Sequence, residues 1–163
     1  MINSPLYTLA FTGHRPNKLQ NDYELTSPYV HKIWQDIVNT LKLEQTAQYY
    51  RFIVGGALGI DTLAALIALD FHIPYVLAVP CAEHDSKWTK RSRDVYEWIK
   101  QQAEHVHYVS IKPYSSSCMQ QRNQFMVDHA HALYAVWNGT SGGTENCINY
   151  AKSVNKPIIY HHL

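Results

Sequence analysis

The sequence predicts an α/β protein with a Rossmann-like, doubly wound and mainly parallel sheet that carries helices on both faces. Short apolar runs alternate along the chain with longer segments of helical periodicity, and strands separated by helices form parallel sheets through right-handed crossovers. Buried parallel strands also read as unbroken apolar segments, as LYTLAF, YVLAV and LYAVW do here. The 163 residues suit one domain, predicted over residues 1–163.

The elements of the first half follow from local patterns. An apolar run over residues 6–12 predicts a strand that ends at a glycine, and residues 28–43 carry apolar side chains at helical spacing. Residues 51–54 predict a second strand, which a Gly-Gly pair ends. Residues 60–71 are rich in Ala and Leu and predict a buried helix, and residues 75–79 predict a strand closed by a proline.

The second half alternates in the same way, with apolar runs between amphipathic segments. Helices are predicted over residues 88–105, 119–129 and 144–154. Strands are predicted over residues 107–111, 133–137 and 157–160.

The charge balance bears on the partners of the protein. The chain has 14 Lys and Arg residues against 13 Asp and Glu residues, a net charge of +1. Tight binding to the nucleic-acid backbone normally requires a strong basic excess. The composition therefore argues against nucleic acid as a partner.

Cysteine, histidine and hydropathy patterns exclude several other classes. Cys81, Cys118 and Cys147 form no CxxC pair, so neither a disulfide framework nor a structural zinc site is indicated. The ten histidines show no HExxH spacing, and we expect no metal and no cofactor. No apolar run reaches the ~20 residues that span a bilayer, and the amino end lacks the order of a signal peptide. We therefore expect a cytoplasmic protein without a membrane partner.

In a doubly wound sheet, ligands bind beyond the carboxyl ends of the strands, and the loop after the first strand carries candidate residues there. It holds Thr12, Gly13, His14 and Arg15. Gly13 permits a tight exit from the strand, and a hydroxyl beside a guanidinium suits phosphate or carboxylate. The alternative interpretation is a plain turn whose arginine faces solvent.

The loop after the second strand is a glycine-rich turn that leads directly into a helix. Its candidate residues are Gly55, Gly56, Gly59 and Asp61. Free N–H groups and the helix dipole favour an anion at such a place. Asp61 either caps the helix, which is the favoured interpretation, or accepts hydrogen bonds from ribose hydroxyls.

A third loop, over residues 137–146, again follows an apolar strand and begins a helix. Its Gly139, Gly142, Gly143 and Thr144 fit a phosphate cradle. Two glycine-rich loops on one edge of the sheet indicate a ligand with phosphate or ribose groups.

Three further side chains have two interpretations each. Arg122, followed by Asn123, either reaches the ligand or pairs at the surface with Asp128 or Glu145. Trp88 and the nearby His84 follow the third strand, close to the expected site. Trp88 either stacks on a base or, in the favoured interpretation, packs at the start of the next helix.

Three motifs in order resemble a known superfamily. The segment GGALGIDTLAALIAL, residues 55–69, is similar to the Gly-Ile-Asp segment of DprA-type proteins. Residues 119–151 resemble the arginine helix, strand and Gly-Gly-Thr arrangement of LOG proteins, the cytokinin-activating phosphoribohydrolases. With FTGHRP at its start, the chain resembles the SMF/DprA–LOG (SLOG) superfamily over residues 6–160, above all its small YpsA/YspA-like members of bacteria and phages.

The resemblance implies a Rossmann-like fold that binds a nucleotide or nucleotide-derived ligand at the strand ends. The residues that match the superfamily motifs are Gly55, Gly56, Gly59, Asp61, Arg122, Gly142, Gly143 and Thr144. One departure concerns catalysis. LOG-type hydrolases carry a glutamate three residues after their Gly-Thr pair, and that position here is Cys147, whereas Glu145 falls two residues early.

This departure makes ligand binding, as a sensor or sequestering protein, the first functional hypothesis. The second is a LOG-like phosphoribohydrolase that cleaves the N-glycosidic bond of nucleoside monophosphates, with Arg122 on the phosphate and Glu145 near the ribose. The third is a DprA-like single-stranded DNA binder. A homodimer or higher homo-oligomer is also expected, through the helix face around residues 33–41 or around Trp98.

Overall fold

The computed structural model describes residues 5–163 and contains one six-stranded sheet in which every strand pairing within that range is parallel. The strands are β1 (Tyr7–Gly13), β2 (Tyr50–Gly55), β3 (Tyr75–Val79), β4 (His105–Tyr108), β5 (Ala132–Trp137) and β6 (Ile158–His162). The helices are α1 (Pro28–Leu41), α2 (Leu43–Thr46), α3 (Ile60–Asp70), α4 (Lys90–Gln102), α5 (Ser116–Asp128) and α6 (Gly143–Ser153). The predicted doubly wound α/β fold is confirmed. Residues 1–4 of the predicted domain lie outside the described residues.

The two faces of the sheet bury different side chains because residues alternate along each strand. Leu9 and Phe11 of β1 join the core cluster that α1, α3 and α4 cover. Between them, Ala10 joins the smaller cluster beneath α5 and α6, where Ala78 and Ala135 also lie. Small side chains on this face let the two helices lie close to the strands.

Local chemistry fixes the ends of the helices. Ser27 accepts a hydrogen bond from the Val30 N–H and so starts α1 at Pro28, as predicted. Lys42, in the left-handed conformation with φ 54°, ends it two residues before the predicted boundary. Thr89 caps α4 by accepting from the Ser92 N–H, so that this helix begins after Trp88 rather than at it.

The prediction for β4 differed most from the structure. The strand covers His105–Tyr108, not residues 107–111, and its register aligns Val76 with His105. An edge strand needs no continuous apolar run because only one side of it is paired, and HVHY alternates instead. Ile111, which suggested the later boundary, is 86% exposed.

The strand order places the functional region. The sheet runs β4-β3-β2-β1-β5-β6, so the chain extends from β1 to one side and then returns to add β5 on the other. The order reverses between β1 and β5, and in open α/β sheets the ligand crevice lies at the carboxyl ends next to such a reversal. The loops that follow β1, β2 and β5 meet at this edge.

Candidate functional site

A cleft of about 360 Å³ opens at this edge. We call it the polar cleft, and it is lined by Thr12, Gly13, His14, Arg15, Asn17, Lys18, Ala57, Asp61, Tyr114, Met119, Arg122, Asn123, Gly143 and Thr144. These residues come from the loops after β1 and β2, from the start of α3, from α5 with the loop before it, and from the start of α6. The cleft therefore joins segments that lie far apart in sequence.

The loop after β1 is fastened to its neighbours on both sides. The Ile60 N–H donates to the His14 carbonyl at 3.1 Å, which ties the loop to the start of α3. Gly59 has φ +90°, and a Cβ there would lie 2.4 Å from the His14 oxygen, so this position requires glycine. The Asn138 N–H donates to His14 Nε2 at 3.1 Å and thereby ties the loop to the end of β5.

His14 contributes no positive charge to the cleft at neutral pH. Burial lowers the pKa of His14, and the nearby charge of Lys18 lowers it further. The neutral ring keeps a lone pair on Nε2, as the bond from Asn138 requires. His14 is therefore a buried, neutral residue that connects the loop after β1 to the loop after β5.

Arg122 and Asp61 meet inside the polar cleft. Their side chains are each 7% exposed, with Nη1 of the arginine 3.7 Å from Oδ2 of the aspartate. Arg122 Nε donates to Asn123 Oδ1 at 2.9 Å, while Nη1 is buried with no hydrogen-bond partner among residues 5–163. A Cβ on Gly55 would lie 2.3 Å from Nη1, so this glycine makes room for the guanidinium.

Asp61 does not have the helix-capping role that the sequence favoured. The N-cap of α3 is Gly59, and no side chain caps it. Instead the Ala57 N–H in the preceding loop donates to Asp61 Oδ2 at 3.3 Å. Burial raises the pKa of Asp61, and Arg122 together with the Ala57 N–H opposes that increase.

The first turn of α6 faces the cleft through Gly143 and Thr144. Its N-cap, Gly142, has φ +145° and offers no side chain, so no side-chain cap accepts from the N–H groups of this turn. Such groups, at the positive end of the helix dipole, can donate hydrogen bonds to an anion.

Lys18 links the first and third loops across the cleft. Its Nζ donates to Thr140 Oγ1 at 2.8 Å and to the Ser141 carbonyl at 3.3 Å. With Arg15 and Arg122 it gives the cleft lining three cationic side chains against one carboxylate, that of Asp61. The positive surplus is therefore local, although the whole chain carries a net charge of only +1.

The structure brings many of the predicted site residues to the cleft lining. They are Thr12, Gly13, His14, Arg15, Asp61, Arg122, Asn123, Gly143 and Thr144. It keeps others out of that lining, namely Gly55, Gly56, Gly59, Gly139, Gly142 and Glu145. Gly55 and Gly59 act by allowing close packing beside the cleft, and Glu145 is half-buried elsewhere on α6.

The alternative interpretation of Arg122 as a surface residue is wrong. Arg122 is buried beside Asp61 and is not a surface arginine paired with Asp128 or Glu145.

Sequence reasoning also missed five lining residues, which are Asn17, Lys18, Ala57, Tyr114 and Met119. Lys18 lies three residues after Arg15 in a 3₁₀ turn, and the i, i+3 spacing places both on one side of such a turn. That spacing is a signal that the sequence contained.

The described part of the chain shows neither a metal-binding cluster nor a membrane-spanning helix. Within residues 5–163, no three His, Cys, Asp or Glu side chains are grouped so that they could hold a metal ion. In the same part of the chain, no helix has the length and apolar character needed to cross a bilayer.

Comparison with known proteins identifies relatives. A family model described as the YspA SLOG family matches residues 9–159. The chain is 37% identical over 130 residues to YoqJ, an uncharacterized SPbeta prophage-derived protein of Bacillus subtilis. This alignment covers 70% of this chain and 74% of YoqJ. The chain is 28% identical over 163 residues to a UPF0398 protein of Bacillus thuringiensis, in an alignment that covers 94% of this chain and 86% of that protein.

Solved structures share the fold at lower identity. DNA processing protein A from Helicobacter pylori, studied for its single-stranded DNA binding mode, matches with a TM-score of 0.68 and 20% identity over 97% of this chain and 66% of that one. The DprA structure from Streptococcus pneumoniae matches with a TM-score of 0.65 and 14% identity over 95% of this chain and 50% of that one. This chain therefore spans less than two thirds of either DNA processing protein, and the likeness concerns the fold.

Substituting Gly55 with alanine should destabilise the protein, because the new methyl group would meet the Arg122 guanidinium at 2.3 Å and the Asp61 carboxylate at 2.6 Å. Overpacking of this kind typically lowers the free energy of unfolding by about 1–3 kcal/mol. The matched control is Gly143→Ala, since a Cβ there meets nothing within 4 Å. Urea denaturation followed by circular dichroism measures both. Equal stability of the two variants would contradict the close packing of Gly55.

Proposed function

Because the chain belongs to the YspA SLOG family, we propose that it binds a nucleotide or nucleotide-derived ligand as a sensor or sequestering protein. The ribose-phosphate part of this ligand lies in the polar cleft at the carboxyl ends of the strands. The proposal combines the family membership with the charge and the hydrogen-bonding capacity of the cleft.

The observation that carries the proposal is the buried guanidinium of Arg122. A charged group removed from water loses several kcal/mol of solvation unless it is fully paired. Asp61 stands at 3.7 Å, beyond hydrogen-bond distance, and Nη1 has no hydrogen-bond partner within the described part of the chain. Asp61 supplies a nearby negative charge but no hydrogen bond, and a phosphate or carboxylate in the cleft supplies a hydrogen-bond acceptor for this guanidinium.

The surrounding groups favour a phosphate. Arg15 and Lys18 add positive charge, and the first turn of α6 offers N–H groups without a side-chain cap. The buried hydroxyl groups of Thr12 and Thr144 lie at the same cleft and can donate or accept hydrogen bonds. Such a combination is typical of sites for phosphorylated sugars.

A phosphoribohydrolase is a second candidate, and the position of Asp61 favours it. Hydrolysis of a nucleoside monophosphate consumes one water and yields the free base and ribose 5-phosphate, and positive charge develops on the ribose in the transition state. Asp61 is the carboxylate that lines the cleft, while Glu145 is outside it. Burial raises the pKa of the Cys147 thiol to about 11, so the side chain at the LOG glutamate position stays neutral.

Single-stranded nucleic acid is a third candidate, which rests on the similar Helicobacter pylori protein and its single-stranded DNA binding mode. The balance of 14 basic against 13 acidic residues speaks against a long contact with a phosphate backbone. Three cations in one cleft suit a single nucleotide better than a strand.

Nucleotides should stabilise the protein, and Arg15 should contribute to their affinity. We expect AMP or ADP-ribose to raise the melting temperature, because a ligand that binds only the folded state at a hundred times its Kd adds about 2.7 kcal/mol. Arg15→Gln should weaken binding about ten-fold or more, since a hydrogen bond to a charged group contributes about 1.5–3 kcal/mol.

The control variant is Arg93→Gln, which removes another exposed arginine, on α4, that lines neither the polar cleft nor its neighbours. Thermal-shift measurements test which nucleotides stabilise the protein, and isothermal titration measures the affinities of both variants. No stabilisation by AMP, ADP-ribose, ribose 5-phosphate or cyclic nucleotides would reject the proposal.

The hydrolase candidate predicts that incubation with AMP releases adenine, which chromatography detects. Asp61→Asn should then abolish the release, because an amide cannot offset the positive charge on the ribose, whereas Glu145→Gln should leave it unchanged. Loss of activity in Glu145→Gln alone would restore the assignment made from the sequence. If the unsubstituted protein releases no adenine, the hydrolase candidate is rejected.

The nucleic-acid candidate is tested with a fluorescent oligothymidine and anisotropy at low salt. We expect no binding at protein concentrations where AMP saturates the cleft. Binding that falls steeply with salt would show an extended contact with phosphates instead, because the logarithm of affinity for a single strand falls by about 0.7 per phosphate contacted, for each tenfold rise in salt.

A further inference from the structure

A second cavity, of about 470 Å³, adjoins the polar cleft. Five residues line both spaces, which are Arg15, Asn17, Ala57, Tyr114 and Met119. Beyond this shared border the second cavity is lined by Pro16, Tyr23, Leu58, His84 and Trp88. We call it the aromatic compartment, since four of its ten lining residues carry rings of Tyr, His or Trp.

The chemistry changes across the border between the two spaces. The polar cleft contains Lys18, Asp61 and Arg122, and none of these charged side chains lines the aromatic compartment. Arg15, at the border, is the one charged residue of the compartment lining. A ligand that fills both spaces therefore has an anionic end and a flat, weakly polar end.

The rings of the compartment are held in place from behind. His84 and Trp88 lie edge to face, with ring centroids 5.2 Å apart, and both pack against the buried ring of Tyr96 at 5.1 and 5.5 Å. Trp88 is only half-buried, so part of its ring remains accessible. Rings fixed before binding lose little entropy when a ligand stacks on them.

His84 also has a defined protonation state. Its Nε2 lies 3.1 Å from the Gly56 carbonyl oxygen, and because a carbonyl can only accept, Nε2 carries the proton. Burial lowers the pKa of His84, which favours the neutral ring. The compartment is therefore uncharged on this side at neutral pH.

We propose that the aromatic compartment binds a purine base of the ligand whose ribose-phosphate occupies the polar cleft, so that the protein selects purine nucleotides over simple sugar phosphates. This inference rests on the proposed function of the cleft and specifies its ligand. Bases stack on Trp, Tyr and His side chains because each has a large flat π-face. The larger face of a purine gains more from such a surface than a pyrimidine does.

Isothermal titration with AMP, CMP and ribose 5-phosphate tests this assignment. We expect AMP to bind more tightly than CMP and ribose 5-phosphate. Trp88→Leu should weaken AMP binding by about five-fold or more, the lower end of the range for stacking of one base, and leave the affinity for ribose 5-phosphate unchanged.

The chain contains a matched control. Trp98 is 47% exposed on α4 and lines neither the polar cleft nor the aromatic compartment, so Trp98→Leu should change neither affinity. Should Trp88→Leu fold poorly, Tyr114→Ser replaces it, because Tyr114 is 66% exposed and contributes little to the core. Tyr114→Ser is expected to lower the AMP affinity more than the ribose 5-phosphate affinity.

The outcomes separate this inference from the proposal on which it rests. Equal losses for AMP and ribose 5-phosphate, no loss in either compartment variant, or CMP binding as tightly as AMP would overturn the purine assignment while the cleft proposal stands. If neither AMP nor ribose 5-phosphate binds the unsubstituted protein, both fail.

Discussion

The polar cleft depends on the buried ion pair between Arg122 and Asp61. The two residues come from opposite faces of the sheet, Asp61 from α3 and Arg122 from α5, and they meet where a glycine at the end of β2 leaves space. Removing two charges from water costs several kcal/mol per ion. At 3.7 Å, with Nη1 lacking a hydrogen bond inside residues 5–163, their attraction recovers only part of this. The pair is therefore better explained by its role in placing charged groups at the cleft than by any contribution to the stability of the fold.

Other constraints at the site follow from this pair. Neither partner can be removed alone without leaving the other charge buried and uncompensated, a loss of about 3–5 kcal/mol in comparable cases. Burial raises the pKa of Asp61 and the arginine opposes it, so the two charges sustain each other. An anion in the cleft adds an acceptor for Arg122 without displacing the aspartate. The cleft is thus built before the ligand arrives, which reduces the entropy lost on binding.

The sequence predicted the sheet and its loops more fully than the contacts between them. Apolar runs and glycines are local signals, so the strands, the buried α3 and most cleft-lining residues could be found from them. The role of Asp61 could not be found in this way. An acidic residue in the first turn of a helix suggests a cap, and only the fold shows that Arg122, 61 positions later, lies beside it. The spacing of Lys18 from Arg15 was a local signal, but the hydrogen bond from Lys18 to Thr140, 122 residues away, could not be inferred from it. Gly55 and Gly59 were recognised, but their packing roles depend on neighbours that only the fold supplies.

The fold alone does not decide between a mononucleotide and a strand of DNA, because both can bind at the carboxyl ends of such a sheet. Local features of this chain favour the mononucleotide that we propose. Lys18 joins the first loop to Thr140 and Ser141 of the third, and a strand passing between these loops would have to break that bridge. The aromatic compartment borders the polar cleft on one side, and its lining holds no charged residue beyond Arg15, which the two spaces share. In the binding mode that we propose, a single nucleotide fits both spaces, with its phosphate beside Arg122 and its base on Trp88. A further phosphate of a polymer would find only Arg15 as a cation in the lining of the aromatic compartment.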